Sequence, residues 1–205
     1  MYVLLFVMKA QTLTNLNDAR SQATRSRLVQ ATIDSLIEHG YSKTTGVEIC
    51  RRAGVTRGAL NHHFPDYSAL LIDALREVYT TLKVEPDASS LERVVRSGYK
   101  NVVQPEFKVV IELWLASQND PAIGDKLARA IAESAYAFSP KSFRRAGIGE
   151  PAANAIYYTL FELLIAIGLG RATSGGKASA HEHMVFETML DLARQQDSLG
   201  VKNNE

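Results

Sequence analysis

The 205-residue chain contains 46% hydrophobic and 22% charged residues and has a formal net charge of +1. This composition is typical of a globular protein and excludes a collagen-like, low-complexity or largely disordered chain. A single cysteine excludes an internal disulfide and predicts a reducing, cytoplasmic location. Residues 1–66 carry a net charge of +3 and residues 67–205 a net charge of −2. Any binding of nucleic acid is therefore expected to depend on a few well-placed contacts and not on a broad basic surface.

An apolar run, Tyr2 to Met8, opens the chain and is followed by polar residues. The run has no preceding basic region, is too short to span a bilayer and lacks a convincing cleavage site, so no membrane anchor or signal peptide is expected. Three interpretations stay open: a disordered tail, sequence upstream of a true start at Met8, or an apolar arm that packs on a partner subunit. Residues 1–21 are predicted to be a tail. The first helix is expected to begin near Asp18 or Ala23 and to end at His39.

Residues 45–64 predict two short helices joined by a tight turn. Thr45 and Glu48 have the spacing of a capping box, in which each side chain binds a free backbone amide of the other residue. Gly54 follows the first helix, where a left-handed backbone conformation is needed. Thr56 is a suitable cap for the second helix. The pattern is that of a DNA-binding helix-turn-helix, and a purely structural corner in an all-helical protein is the alternative.

The second of these helices, residues 57–63, has Leu60 as its only bulky apolar residue. Its opposite face is small and polar, which suits a helix that enters a groove. Arg57 is the best candidate for a bidentate contact to guanine, and Asn61 for a contact to the edge of adenine. Thr45 and His63 are expected to contact phosphate groups. The predicted DNA-binding residues are Thr45, Val47, Thr56, Arg57, Gly58, Ala59, Asn61, His62, His63 and Tyr67.

Pro65 ends this segment, and a fourth helix is predicted from about residue 67 to Leu82. The remaining sequence is helical in pattern, with no alternating strand-like runs. Five further helices are predicted at about 89–103, 105–118, 121–137, 151–172 and 178–196.

The last two predicted helices indicate self-association. Residues 155–169 are apolar on nearly every side of a helix, so they need cover on more than one side. The final helix carries an apolar stripe that includes Met184, Met189 and Leu192. A homodimer formed through helices at about 151–172 and 178–196 is therefore predicted, as a four-helix interface. The alternative is that both helices form the core of a monomer.

From Thr24 to Leu71 the chain resembles the tetracycline-repressor-like (TetR) family of bacterial regulators. The matching segments are RSRLVQATIDSLIEHGY, TTGVEICRRAGVTRG and ALNHHFPDYSALL. The resemblance implies an all-α fold of about nine helices. A three-helix, homeodomain-like head would occupy residues 22–82, with its helix-turn-helix motif at 45–64, and a helical ligand-binding and dimerisation body would occupy residues 83–205.

The resemblance also implies a function: a dimer that binds a palindromic operator in double-stranded DNA and is released by a small-molecule effector. Two positions depart from the family pattern. Asn61 replaces a common tyrosine that binds phosphate, and Tyr67 replaces a common lysine, so the expected grip on the DNA backbone is weaker.

The effector is expected to bind within the body. Glu112 is the most distinctive candidate, because its carboxylate lies in an apolar segment and needs either a cationic ligand or an arginine from another helix. Most of the aromatic candidates are of a kind that is also found as ordinary core residues. The predicted ligand-binding residues are Tyr99, Glu112, Trp114, Gln118, Tyr136, Tyr158 and Phe161.

Enzymatic and metal-binding alternatives find little support in the sequence. Only His183 and Glu187 share a helical face in the histidine-rich segment near residue 181, so no metal is expected. The segment GRATSGGKA lacks the first glycine and the final Ser/Thr of a phosphate-binding loop. No catalytic residue and no cofactor are predicted. The alternatives kept are a helical small-molecule-binding protein or enzyme whose helix-turn-helix is only structural, and an architectural DNA-binding protein that needs no ligand.

Overall fold

Helices form all the regular structure in residues 2–82, 90–121, 123–134 and 152–202, which are the residues that the computed structural model describes. The all-α fold class predicted from the sequence is confirmed. The helices are α1 (Tyr2–His39), a 3₁₀ turn (Tyr41–Lys43), α2 (Gly46–Ala53), α3 (Arg57–His63), α4 (Tyr67–Thr81), α5 (Leu91–Val102), α6 (Phe107–Asn119), α7 (Gly124–Ser134), α8 (Ala152–Thr173) and α9 (Glu182–Lys202).

Helix α1 begins earlier than the sequence pattern predicts. It extends back to Tyr2, whereas Asp18 or Ala23 was the expected start and residues 1–21 the expected tail. The physical reason is that no glycine or proline occurs between Tyr2 and His39, so nothing interrupts the helical backbone. The predicted end of the helix at His39 is confirmed.

The chain forms two compact units, Met1–Ala74 and Leu75–Glu205, and the division falls within α4. In the first unit α1 packs on α2, and Leu28, Leu36 and Ile49 are fully buried in the core. The buried hydroxyl of Thr44 donates to the carbonyl of Gly40 at 2.8 Å and lies 3.0 Å from the hydroxyl of Ser35. These polar groups are satisfied, so the turn between α1 and α2 is held without an unpaired buried group.

In the second unit α6 packs against α7 and α8, and α5 packs against α8 and α9. The fully buried side chains include Leu91, Leu113, Leu127, Met189 and Leu190, one or two from each of α5, α6, α7 and α9. Burial of large aliphatic side chains of this kind contributes about 1.5–3 kcal/mol each to folding, before the cost in conformational entropy.

Helices α5 and α9 are joined near both ends by side chains far apart in sequence. The carboxylate of Asp197 accepts hydrogen bonds from the amides of Leu91 at 2.8 Å and Glu92 at 3.1 Å, and so caps α5 from another helix. Near the other end, the Tyr99 hydroxyl donates to the carboxylate of Glu182 at 2.7 Å. The register of these two helices is therefore set by polar contacts as well as by the core.

Candidate nucleic-acid interface and ligand cavity

The helix-turn-helix geometry forms as the sequence predicts. The side-chain oxygen of Thr45 accepts a hydrogen bond from the amide of Glu48 at 3.3 Å, and that of Thr56 accepts one from the amide of Ala59 at 3.2 Å. Gly54 lies between the helices with φ 63° and ψ 41°, the left-handed conformation that glycine adopts without steric cost. Two capped helices therefore meet at a glycine turn.

The capping box is only half formed, because Glu48 is occupied elsewhere. Its carboxylate binds the guanidinium of Arg51 at 2.7 Å and that of Arg52 at 2.5 Å. These arginines, Arg51 first, lower the pKa of Glu48 to about 2. Arg52 also binds Glu38 at 2.6 Å, which links α2 to the end of α1. Both arginines of α2 thus have carboxylate partners within the head.

Helix α3 turns one apolar residue inward and a polar face outward. Leu60 is only 8% exposed, whereas Arg57, Gly58, Asn61 and His62 are exposed. In the part of the chain with described side chains, Arg57 and Asn61 make no side-chain hydrogen bond or ion pair. The outer face of α3 therefore offers an arginine and an amide whose hydrogen-bonding groups are available to a ligand.

The start of α2 and the face of α3 border a common groove. The groove has a volume of about 360 Å³, and its lining includes Thr45, Gly46, Arg57, Asn61 and Tyr67. Beside it the apolar side chain of Val47 is 66% exposed, although it would be expected in a core on composition alone. The first amides of α2 have no partner within the helix, so this groove combines backbone donors with polar side chains.

Behind α3, Arg25 of α1 holds the end of the helix in place. Its Nη1 donates to the carbonyl of His63 at 3.0 Å, its Nη2 pairs with the carboxylate of Asp73, and its guanidinium lies 4.4 Å from the centre of the Phe64 ring. Sequence analysis did not identify Arg25. A lone arginine on a long helix carries no local signal, because its partners lie 38 and 48 residues away.

Two predicted DNA-binding residues are engaged within the head. The hydroxyl of Tyr67 donates to the carbonyl of Thr44, and burial raises the pKa of Tyr67 to about 12. His63 is half-buried, and burial, followed by the charges of His62 and Arg25, lowers its pKa below the usual value. Tyr67 therefore has its hydroxyl hydrogen in use, and the imidazole of His63 is disfavoured as a cation.

The second unit contains a cavity of about 210 Å³ with an apolar wall. Among the described residues of its lining, four are aromatic, namely Tyr79, Phe107, Trp114 and Phe161, and the others are aliphatic apart from Glu162. Helices α6 and α8 approach closely here, since a Cβ atom added at Gly168 would come within 2.3 Å of Cε1 of Phe107. The glycine therefore allows the ring to lie against α8 and form one side of the cavity.

The cavity brings together only some of the predicted ligand-binding residues. Trp114 and Phe161 line it, and Tyr136 lies outside the described residues. Glu112 is half-buried, Gln118 is exposed, Tyr158 is 60% exposed, and none of these three lines the cavity. Sequence analysis missed Tyr79 and Glu162, because neither residue type nor local spacing shows which side chains share a cavity.

Tyr99, a predicted ligand-binding residue, makes contacts with α9 within the second unit. Its ring stacks on Phe186 with centroids 3.9 Å apart, and its hydroxyl binds Glu182. Glu182 is only 5% exposed and also binds Arg171 of α8 at 2.7 Å. Arg171 is the largest cause that lowers the pKa of Glu182. The histidine-rich segment that the sequence suggested as a weak metal site thus contains a buried carboxylate used in an ion pair.

Comparison with known proteins agrees with this geometry. Residues 28–74 match the family of "Bacterial regulatory proteins, tetR family". The chain is 24% identical over 126 residues to the HTH-type transcriptional regulator CymR of Pseudomonas putida, covering 57% of this chain and 62% of CymR. It is 28% identical over 112 residues to the HTH-type transcriptional regulator BetI of Klebsiella pneumoniae (strain 342), covering 48% of this chain and 57% of BetI. The matches thus span about three fifths of these relatives.

The fold extends further than the sequence similarity. A crystal structure of a transcriptional regulator from Rhodococcus sp. Rha1 matches with a TM-score of 0.70 at 20% identity, over 84% of this chain and 96% of that one. Both units therefore have the architecture found in a known regulator structure.

A capped helix with an exposed polar face behind a glycine turn defines a helix-turn-helix protein of the DNA-binding class. The helix-turn-helix of this chain, within residues 28–74, is of the type found in the TetR family of bacterial regulatory proteins. Within the residues that the structure describes, every helix is too short or too polar to cross a membrane.

Proposed function

We propose that this protein is a homodimeric transcriptional repressor that binds a palindromic operator and is released by a small-molecule effector. The observation that carries the proposal is the outer face of α3. Arg51 and Arg52 of α2 are paired with the carboxylates of Glu48 and Glu38, whereas Arg57 has no ion-pair partner among the described residues. The guanidinium of Arg57 is therefore available on the exposed face of α3 to read a base pair.

The roles within the head follow from position. Arg57 makes a bidentate contact to guanine, and Asn61 reads the edge of adenine. Gly58 and Ala59 allow the backbone to approach the groove, and His62 lies on the same outer side. These roles are supported by the positions of the side chains on α3, where Arg57, Gly58, Asn61 and His62 are exposed and Ala59 is half-buried.

The start of α2 and the cap of α3 position the head on the DNA backbone. Thr45 and Thr56 each accept a hydrogen bond from their own helix, so their hydroxyl hydrogens are available to phosphate oxygens. Val47 contacts a sugar or a thymine methyl group. His63 contacts phosphate as a neutral donor, and Tyr67 acts by holding the start of α4 against Thr44.

Dimer formation is supported by apolar side chains left exposed on the last two helices. Met184 is exposed on α9, as is Leu192 two helical turns further along the same side, while Met189 is fully buried. On α8, Tyr158 and Leu169 are likewise exposed. The apolar stripe thus divides into a core side and an outer side, and the outer sides of α8 and α9 pair with those of a second copy. Half-sites about one helical turn of DNA apart, or more, would fit such a dimer.

Release by an effector is supported by the position of the cavity on α4. Tyr79 lines the cavity, and Asp73, which binds Arg25, lies on the same helix. An effector that fits the cavity better in one position of α4 than in another shifts the population toward that position and alters the grip of Arg25 on α3. The protein acts in the cytoplasm, where its DNA is located, and has no catalytic role.

Selection of DNA fragments from a random library by the purified full-length chain tests the proposal. We expect the selected fragments to be enriched in a palindrome. We also expect the protein to be retained on heparin at low salt and to sediment with the mass of two chains. Failure of the chain to retain any DNA at low salt would favour a helical ligand-binding protein or enzyme with a structural helix-turn-helix. Retention without sequence preference would favour an architectural DNA-binding protein.

Arg25→Met is expected to weaken binding to all DNA sequences alike, without a change in sequence preference. The substitution keeps the aliphatic stem and removes the contacts to His63, Asp73 and Phe64, so α3 loses its support but not its reading face. The free energy of unfolding should fall by about 1–2 kcal/mol. Gel-shift titrations with the selected fragment and a scrambled one measure both effects. Arg27→Met is the matched control, since among the described residues the exposed Arg27 binds only Thr24; an equal loss for both variants would contradict the role of Arg25.

A further inference from the structure

We infer that the cavity of the second unit takes a small apolar or aromatic cation, such as an alkylated ammonium compound. The inference rests on the proposed function, because it names the chemical class of the effector. Aromatic rings from three helices surround the cavity: Tyr79 from α4, Phe107 and Trp114 from α6, and Phe161 from α8. Faces of such rings attract a cation within about 6 Å of their centres and are the common means of binding quaternary ammonium groups.

Among the described residues of the lining, the one charged residue is negative. Glu162 is exposed, and no described side chain forms a hydrogen bond or ion pair with it, in contrast to Glu48, Glu92 and Glu182. Because Glu162 both lines the cavity and reaches solvent, its carboxylate lies at the rim. A ligand whose apolar part lies inside the cavity would contact the aromatic and aliphatic side chains there. Its positive charge, placed toward the rim, would lie near the carboxylate of Glu162.

The polar groups of the lining also disfavour an anion. Among the described residues of the lining there is no lysine, arginine or histidine. An anion would therefore leave water for an apolar cavity beside the carboxylate of Glu162 without a positive partner from these residues, which is unfavourable. The volume of about 210 Å³ lies below the roughly 300–1,000 Å³ of a site for a drug-sized molecule, so the ligand is small.

Trp114 provides a direct measurement, because it is the single tryptophan of the chain and lines the cavity. Phenyltrimethylammonium and its uncharged counterpart tert-butylbenzene are titrated into the purified full-length protein while the tryptophan fluorescence is followed. The cation is expected to bind more tightly than the neutral compound of the same shape. Glu162→Gln should weaken binding of the cation by up to about fivefold, as expected for a partly exposed ion pair, and leave the neutral compound unaffected.

Two further variants control the experiment. Glu133→Gln removes an exposed carboxylate of α7 that does not line the cavity and should change neither affinity. Ile165→Phe fills the cavity from α8 and should abolish the response to both compounds. Because Glu162 lies on the same side of α8 as Tyr158, which the proposed dimer covers, sedimentation is used to confirm that the variants compared have the same mass.

Any of three results would overturn the inference. These are equal affinity for the charged and neutral compounds, an unchanged ratio of the two affinities in Glu162→Gln, and the absence of a fluorescence response to either compound. Gel-shifts with the selected operator fragment are run on the same samples. Retention of DNA without binding of the cation refutes the ligand class alone, whereas binding of the cation without retention of DNA refutes the proposed function alone.

Discussion

Replacing Arg57 by alanine is expected to weaken binding to the selected operator by about 1–3 kcal/mol per half-site, and to relax the sequence preference at one base pair of each half-site. The reason is that Arg57 is exposed on α3 and, among the described residues, has no internal carboxylate to satisfy it. Its removal takes away a base contact and leaves the head folded, because Thr56 still caps α3 and Leu60 still anchors it.

The measurement is a gel-shift series with the selected operator and a set of single-base variants, at one fixed salt concentration, because salt changes every affinity of this kind. Arg51→Ala is the matched control. Arg51 is exposed on the neighbouring helix and carries the same charge, but Glu48 binds it, so a small and uniform loss of affinity is expected. An unchanged base preference for Arg57→Ala would remove Arg57 from the reading face.

Replacing Arg171 by methionine is expected to lower the free energy of unfolding of the second unit by about 3 kcal/mol at neutral pH. The substitution leaves the carboxylate of Glu182, which is 5% exposed, with only the hydroxyl of Tyr99 and backbone donors nearby. Urea denaturation measures the loss. Arg194→Met is the control, since its ion pair with Glu92 at 3.1 Å is exposed and contributes little. Equal losses for the two variants would show that burial of Glu182 does not matter.

The same ion pair predicts a dependence on pH. Arg171, foremost among the causes, holds the pKa of Glu182 below the ordinary value of a glutamate in the folded protein. Its contribution to stability is therefore complete above that value and is lost as the pH falls through the lower, folded pKa. In Arg171→Met this cause is absent, so the difference in the free energy of unfolding between the two proteins should be largest at neutral pH and should shrink as the pH falls through the folded pKa of Glu182. Urea denaturation at a series of pH values measures this difference, and a difference that stays constant down to acid pH would contradict the assignment.

The helix-turn-helix could be predicted residue by residue because its determinants are local. Thr45 caps a helix through an amide three residues away, Thr56 does the same, and Gly54 supplies the turn by its own backbone freedom. Each rule acts within a few residues, so the bounds of α3 follow from the sequence. Glu48 departs from the predicted capping box although the competing groups are also local, because arginines three and four residues further along its own helix bind the carboxylate.

The ligand cavity could not be predicted in the same way. Its aromatic residues were chosen by type, and type does not show which rings face one another once α4, α6 and α8 pack. Tyr99 illustrates the difficulty. Its side chain contacts Phe186 and Glu182 of α9, although Glu182 lies 83 residues from Tyr99 in the sequence. Arg25 was missed for the same reason, since its partners lie 38 and 48 residues away, at the end of α3 and in α4.

By itself the sequence determined that the protein is helical, where its reading helix begins and ends, and which of its faces is polar, because capping, turn formation and periodicity act over one or two helical turns. Only the tertiary structure decided which rings enclose the cavity, that Glu162 is the charged residue of its described lining, and that Arg25 supports α3. These features depend on side chains that meet only after helices distant in sequence have packed, and no short-range pattern encodes them.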